Sequence, residues 1–191
     1  VGDQERVGMV SSQFDSIEFK SNHREFFCHT GLYKNKRISV LSTGIGTDNI
    51  DIVVNELDAA FNINLETKEE KQELTQLEII RIGTCGLLQA DIPVHSYVLS
   101  EYALGLDNVG HFYALKYTDK EKELLKAIQD CSIFPEYIIP YIKKASSNFV
   151  EKFETEHTIK GITVTSSGFY APQGRACLLY TSDAADERRC V

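Results

Sequence analysis

No apolar run in the 191-residue chain is long enough to cross a bilayer, and its opening residues carry no signal-peptide pattern. Both absences point to a cytoplasmic protein. Basic charge is also scarce: 20 Lys and Arg stand against 28 Asp and Glu, giving a net charge of −8 and a pI near 5.2. A nucleic-acid-binding surface is therefore not expected. A site for one small anion is not excluded, because a few local arginines suffice for it. Of the five cysteines, Cys177 and Cys190 fall in the C-terminal tail. Cys28, Cys85 and Cys131 have spacings that fit neither a zinc site nor a disulfide framework, so reduced thiols are expected. No metal-ligand spacing, internal repeat or low-complexity tract is found. His23 reads as structural, and His29, His95, His111 and His157 show no partner in the sequence. No metal and no cofactor are expected.

What is present suits an α/β domain. Ten Phe and nine Tyr supply a core. Segments 16–20, 26–32 and 37–42 read as strands, with Lys34-Asn35-Lys36 as a turn. A short helix or turn is expected over 7–14. Positions 48–61 read as a helix, with Ile50, Val53, Val54, Leu57, Ala60 and Phe61 on one face and Thr47 or Asp48 as its cap. Positions 62–76 form a charged connection, expected to be partly helical. Buried strands follow at 77–82 and 94–99, an amphipathic helix at 119–131, a further helix at 142–155 and a strand at 158–166. Strands alternating with helices imply an α/β fold whose ligands gather at strand C-termini.

Several turns in this pattern are suited to anions. Arg81-Ile82-Gly83-Thr84-Cys85-Gly86 follows the apolar run Leu77-Glu78-Ile79-Ile80. A Gly-rich turn exposes backbone N–H groups and lets an anion approach the chain. Arg81 adds a fork-shaped charge and Thr84 a hydroxyl. Cys85 has no evident base beside it and reads as a small packing residue. Gly2 and Arg6 lie about one helical turn apart and can meet one small anion. Ser42-Thr43-Gly44-Ile45-Gly46 is a strand running into a Gly-x-Gly turn and a helix. The arginine turn, the glycine turn and the 169–175 segment all read as strand ends, which supports a shared cleft.

Taken in order, these pieces resemble the uridine phosphorylase branch of the nucleoside phosphorylase-I family. They are Gly2-Asp3-x-x-Arg6-Val7, Ser21-x-His23-Arg24-Glu25-Phe26, Ser42-Thr43-Gly44-Ile45-Gly46 and Arg81-Ile82-Gly83-Thr84-x-Gly86. Gly105-Leu106-Asp107-Asn108 and the run from Gly161 to Arg175 follow. The resemblance spans Val1 to about Arg175, with a poorly matched stretch over 117–158. Its most specific part is Phe169-Tyr170-x-x-Gln173-x-Arg175, similar to the segment that reads uracil.

The resemblance implies a three-layer α/β/α fold with a central mixed sheet. It implies phosphorolysis of uridine to uracil and ribose 1-phosphate, with inorganic phosphate as co-substrate. Gly2, Arg6, Arg24, Arg81 and Thr84 would bind phosphate, Arg24 reaching into a neighbouring subunit of a homodimer or a hexamer of dimers. Phe169, Gln173 and Arg175 would bind the base and Thr84 the ribose. Arg81, Thr84 and Arg175 would be catalytic. The alternatives are a purine nucleoside phosphorylase or nucleosidase of the same fold, or a non-catalytic nucleoside-binding fragment. Residues 177–191 resemble the translation of a sequencing-library adapter, leaving 1–176 as a partial phosphorylase domain. The family's Glu-rich ribose-holding segment is not found in the chain.

Overall fold

The structure, a computed structural model, describes residues 1–131, 134–135 and 137–173. Arg175 and the 177–191 tail lie outside the described residues. The chain divides into two compact units, Val1–Thr84 and Cys85–Val191.

The first unit is built on an antiparallel meander of β1 (Ser16–His23), β2 (Phe26–Tyr33) and β3 (Lys36–Leu41), in that order across the sheet. Tyr33 pairs with Lys36 around the two-residue turn Lys34-Asn35, both at positive φ (48° and 63°). Two consecutive left-handed residues match the twist of a tight hairpin, and Asn tolerates that region well. Central β2 buries its middle, His29, Thr30 and Gly31, whereas β1 is exposed along its length. At Gly31 a Cβ would lie 2.1 Å from the Ser16 carbonyl, so no larger residue fits.

Helix α1 (Gln4–Ser11) starts earlier than the 7–14 span expected, because the Asp3 carboxylate accepts from Glu5 N–H at 2.9 Å and caps it. It packs on β2 and β3 through its two buried residues, Val7 and Ser11. His29 lies beneath it, with Nδ1 2.7 Å from Ser11 Oγ. Burial, and then the Lys20 charge, hold the His29 imidazole below its usual pKa.

Past β3 the chain turns through Gly44 (φ 69°) and Gly46 (φ 107°) into α2 (Thr47–Asn62). Gly46 is the N-cap and supplies no side-chain bond, so neither Thr47 nor Asp48 caps the helix as expected. Ile50, Val53 and Leu57 are half-buried, a narrower stripe than the sequence suggests, since Val54, Ala60 and Phe61 stay exposed. Asn62 ends the helix: its Oδ1 accepts from Thr75 N–H at 2.7 Å and its amide donates to Asp58 at 2.7 Å. This clamp explains why 62–76 is not helical. It folds instead as a minimal hairpin of β4 (Ile63–Asn64) and β5 (Glu69–Glu70).

The second unit carries a mixed sheet ordered β7-β6-β8: β6 (Tyr97–Gly105), β7 (Tyr141–Lys144) and β8 (Thr158–Thr165). β6 runs parallel to β8 and antiparallel to β7. The helix expected over 142–155 is split. Its front half pairs with β6 and fully buries Ile142, and only Ser147–Phe153 is helical (α4). Among the described residues Leu104, Ile142 and Val150 are buried hydrophobic side chains of this unit. The strand expected over 77–82 does not form. Ile79, Ile80 and Ile82 are each more than half exposed, and no described strand pairs with them. β-branched residues favour extension, but a strand requires a ladder partner.

Helix α3 (Asp119–Asp130) opens with a capping box in which Thr118 and Glu121 bond each other's backbone N–H. Glu121 is 1% exposed and also takes Lys143 Nζ at 2.8 Å and Lys144 N–H at 2.9 Å. The Lys143 bond, helped by the backbone donors and opposed by burial, holds its carboxyl down at about 2.

Two stability effects follow from these environments. Glu121 has a folded pKa below its ordinary 4.5, so its stabilisation is complete above that pH and is lost as pH falls toward about 2. Glu121→Gln is expected to cost about 1–3 kcal/mol at pH 7 and to flatten the acid limb of the stability curve. Urea melts at pH 7 and pH 3 check both. Gly44→Ala places a Cβ 2.7 Å from Asn49 Nδ2 at a left-handed φ, whereas Gly83→Ala meets nothing within 4 Å. The first is expected to lose at least about 1–2 kcal/mol and the second to be near neutral, as read by thermal unfolding.

Candidate active site

Val1 and Gly2, at the start of the expected anion site, lie at the exit of β3. Val1 lies alongside it: its ammonium donates to Leu41 C=O at 2.9 Å and its carbonyl accepts from Thr43 N–H at 2.8 Å. This places Gly2 against the Gly44 turn, where a Cβ on Gly2 would come within 3.4 Å of the Gly44 carbonyl. Beneath the turn, fully buried Ser42 donates to Glu25 C=O at 2.6 Å and accepts from Phe27 N–H at 2.7 Å. One hydroxyl thus ties the end of β3 to the β1–β2 hairpin. Thr43 Oγ1 donates to Val1 C=O at 3.3 Å.

Two arginines act on this point. The Val1 ammonium is held below its usual pKa by burial first, then by the charges of Arg81 and Arg6. Arg6 is half-buried on α1 and Arg81 is exposed. Thr84 is exposed at the end of the unit. Arg24 occupies the tip of the β1–β2 hairpin at φ 54°, with an exposed side chain. Its carbonyl accepts from Gln4 Nε2 at 2.6 Å, which fastens the tip to the first turn of α1. The structure therefore brings Gly2 against the Gly44 turn, lets the charges of Arg6 and Arg81 both reach the Val1 ammonium, and anchors Arg24 by its backbone to Gln4. An apolar hollow in the same unit, lined by Met9, Val10, Gln13, Phe14, Tyr33 and Ile38, includes none of these residues.

In the second unit the segment expected to read the base leaves the C-terminal end of β8. Leu106 N–H donates to Thr165 C=O at 2.8 Å, so the exits of parallel strands β6 and β8 are adjacent. Ligands collect at such ends. Phe169 is 56% exposed and meets Tyr170 edge-on at 5.3 Å between ring centroids. Gln173 ends a 3-10 turn (Ala171–Gln173), and its Nε2 donates to Gly168 C=O at 3.1 Å. Ser166 Oγ donates to the same carbonyl at 3.2 Å.

At the β6 exit, Asp107 Oδ1 accepts from Tyr141 OH at 2.6 Å and from Val109 N–H at 3.0 Å. Burial, then Asp107, push the Tyr141 phenol well above its usual pKa. The Gly-Leu-Asp-Asn motif thus serves as an anchor, with Gly105 and Gly110 packed against the Tyr141 ring. The sequence did not reveal three partnerships: Ser11 with His29, Glu121 with Lys143, and His111 Nε2 with Ile139 O at 2.8 Å. Only the second had a local signal, the Thr118-x-x-Glu121 capping pattern. Among the described residues no group of three or more His, Cys, Asp or Glu could hold a metal ion, and no helix is long and apolar enough to cross a membrane.

Comparison with known proteins agrees with this geometry. The family profile described as the phosphorylase superfamily matches residues 1–187. A uridine phosphorylase from Thermococcus kodakarensis is 31% identical over 174 residues, covering 91% of this chain and 52% of its own length. A DeoD-type purine nucleoside phosphorylase from Alkaliphilus metalliredigens is 34% identical over 100 residues, 52% of this chain and 37% of its own. Among solved structures, a Trypanosoma brucei nucleoside phosphorylase described as showing uridine phosphorylase activity superposes with a TM-score of 0.80 at 26% identity. It covers 93% of this chain and 64% of its own. The chain spans about half the length of the Thermococcus relative. It belongs to the phosphorylase superfamily.

Proposed function

We propose that the protein phosphorolyses uridine in the cytoplasm, with inorganic phosphate as co-substrate and no other cofactor. The observation that supports this reading is that the charges of Arg6 and Arg81 both reach the Val1 ammonium, on the chain end that lays Gly2 against Gly44. Two guanidiniums near an open glycine turn suit a phosphate dianion. A nucleosidase, whose nucleophile is water, has no use for such a pair. Thr84 adds a hydroxyl for phosphate and ribose.

In this mechanism a phosphate oxygen forms a bond to C1′ as the C1′–N1 bond breaks. The bonding pair leaves with the pyrimidine, and a proton delivered to the base completes uracil. Arg6 and Arg81 hold the nucleophile under C1′ and offset the charge shifting away from it; no covalent enzyme intermediate is needed. Gln173 offers an acceptor and donors to the imide edge, and Arg175 donates to a carbonyl oxygen as negative charge grows there. Phe169 supplies an exposed ring for the base to pack on.

A neighbouring subunit would supply Arg24. The hairpin that bears it leaves Ile17 and Phe19 at 40% and 56% exposure, an apolar face that supports assembly into a homodimer or a hexamer of dimers. The local identity to a purine enzyme supports a second reading, phosphorolysis of purine nucleosides.

Two experiments on the protein encoded by the complete gene test these roles. Arg81→Ala is expected to lower kcat/KM with phosphate by about 2–4 kcal/mol of transition-state stabilisation; wild-type turnover would place the anion elsewhere. Uridine is expected to exceed inosine in kcat/KM by on the order of 10⁴, the range where hydrogen bonding decides between substrates. Faster turnover of inosine would return the chain to the purine reading.

A further inference from the structure

Helix α1 is eight residues long, and only Val7 and Ser11 are buried. They stand one turn apart on the same face, so these two contacts set how the helix sits on β2 and β3. Val7 is apolar and has no directional bond to offer. Ser11, 3% exposed, has one: its Oγ lies 2.7 Å from His29 Nδ1, on a ring that is itself 6% exposed. The imidazole is fixed in turn against Phe27, with ring centroids 5.2 Å apart. Lys20 lies opposite His29 on β1 and Val40 opposite it on β3, so neither neighbouring strand places an acceptor carboxylate directly opposite the ring. Burial and Lys20 both favour a neutral imidazole, which keeps one ring nitrogen a donor and the other an acceptor.

Arg6 directly precedes Val7 and is half-buried on the adjoining face. Rotation of α1 about Val7 would swing the Arg6 side chain out of its half-buried position on that helix. The Gln4–Arg24 bond restrains the N-terminal turn along its length, but it leaves the C-terminal half to the buried serine.

We propose that His29 is a positioning residue for phosphate binding, acting through Ser11 to hold α1 in the rotation that presents Arg6. The proposal rests on the phosphate role assigned above to Arg6. It assigns a function to a buried histidine that touches no substrate.

The test is calorimetric titration of inorganic phosphate into the protein encoded by the complete gene, alongside steady-state kinetics. Ser11→Ala and His29→Phe are each expected to weaken phosphate binding about 3- to 10-fold, the loss of one buried hydrogen bond carried into the site. The nucleoside KM should stay within about twofold, because its contacts do not depend on α1. The double variant is expected to be no worse than the weaker single, since both remove the same bond. His29→Asn, whose amide can take the place of Nδ1, should restore most of the affinity. Ser11→Ala removes the bond with little change in volume, so the test stands even if His29→Phe fails to fold. Unchanged phosphate affinity in Ser11→Ala, with Arg6→Ala strongly impaired, would overturn the positioning role and leave the phosphate role intact. Unchanged affinity in Arg6→Ala would overturn both.

Discussion

The two hydrogen bonds that lay Val1 along the end of β3 are the constraint on which the first unit's chemistry depends. They join residues 40 and 42 positions apart, closing a loop that contains α1 and the whole meander. Closing so long a loop is entropically unfavourable. Here the closure is reinforced from below by Ser42, whose hydroxyl satisfies two backbone groups of the β1–β2 hairpin at once. Without that pairing Gly2 would have no fixed relation to Gly44. In the phosphate-binding reading proposed above, chain pairing rather than bulk charge sets the backbone of the anion site in this acidic protein.

Polar burial recurs where elements must be oriented rather than merely attached. Apolar contacts are non-directional, and among the described residues the buried hydrophobic core comprises Val7, Val40, Leu104, Ile142 and Val150. Orientation comes from Ser11–His29 under α1, Asn62 at the end of α2, and Glu121 between α3 and β7. Each buried group has a partner, as its desolvation requires. Glu121 spans four donors from two elements, which makes its carboxylate the joint of the second unit.

The meander was legible because its signals are local. Strand alternation, the Lys34-Asn35 turn and the Gly44–Gly46 exit each depend on residues adjacent in sequence. The motif arginines could be found for the same reason, but not the reach of Val1 across to β3, which brings Gly2 to the Gly44 turn. The 77–82 segment shows the opposite failure. Its composition favours extension, while pairing depends on a neighbour that composition does not supply. Likewise Tyr141–Lys144 has no strand period of its own and becomes a strand because β6 accepts it and Ile142 fills the core. His29 looked solitary because its partner lies 18 residues away.

The segment proposed to read the base adds a further point about preorganisation. Gln173 donates one amide hydrogen to Gly168, the carbonyl that also receives Ser166 Oγ. A carboxamide is planar, so fixing one N–H fixes the direction of its oxygen and of the second N–H. The loop thus sets the amide plane before a nucleoside arrives, which lowers the ordering cost of binding. Phe169 is held similarly by its edge-on contact with Tyr170. Discrimination between an imide edge and a purine edge requires a rigid donor–acceptor pattern, because an adaptable amide would satisfy either base. The short 3-10 turn at 171–173 supplies that rigidity through main-chain closure, with Gln173 N–H bonded to Tyr170 C=O at 3.0 Å.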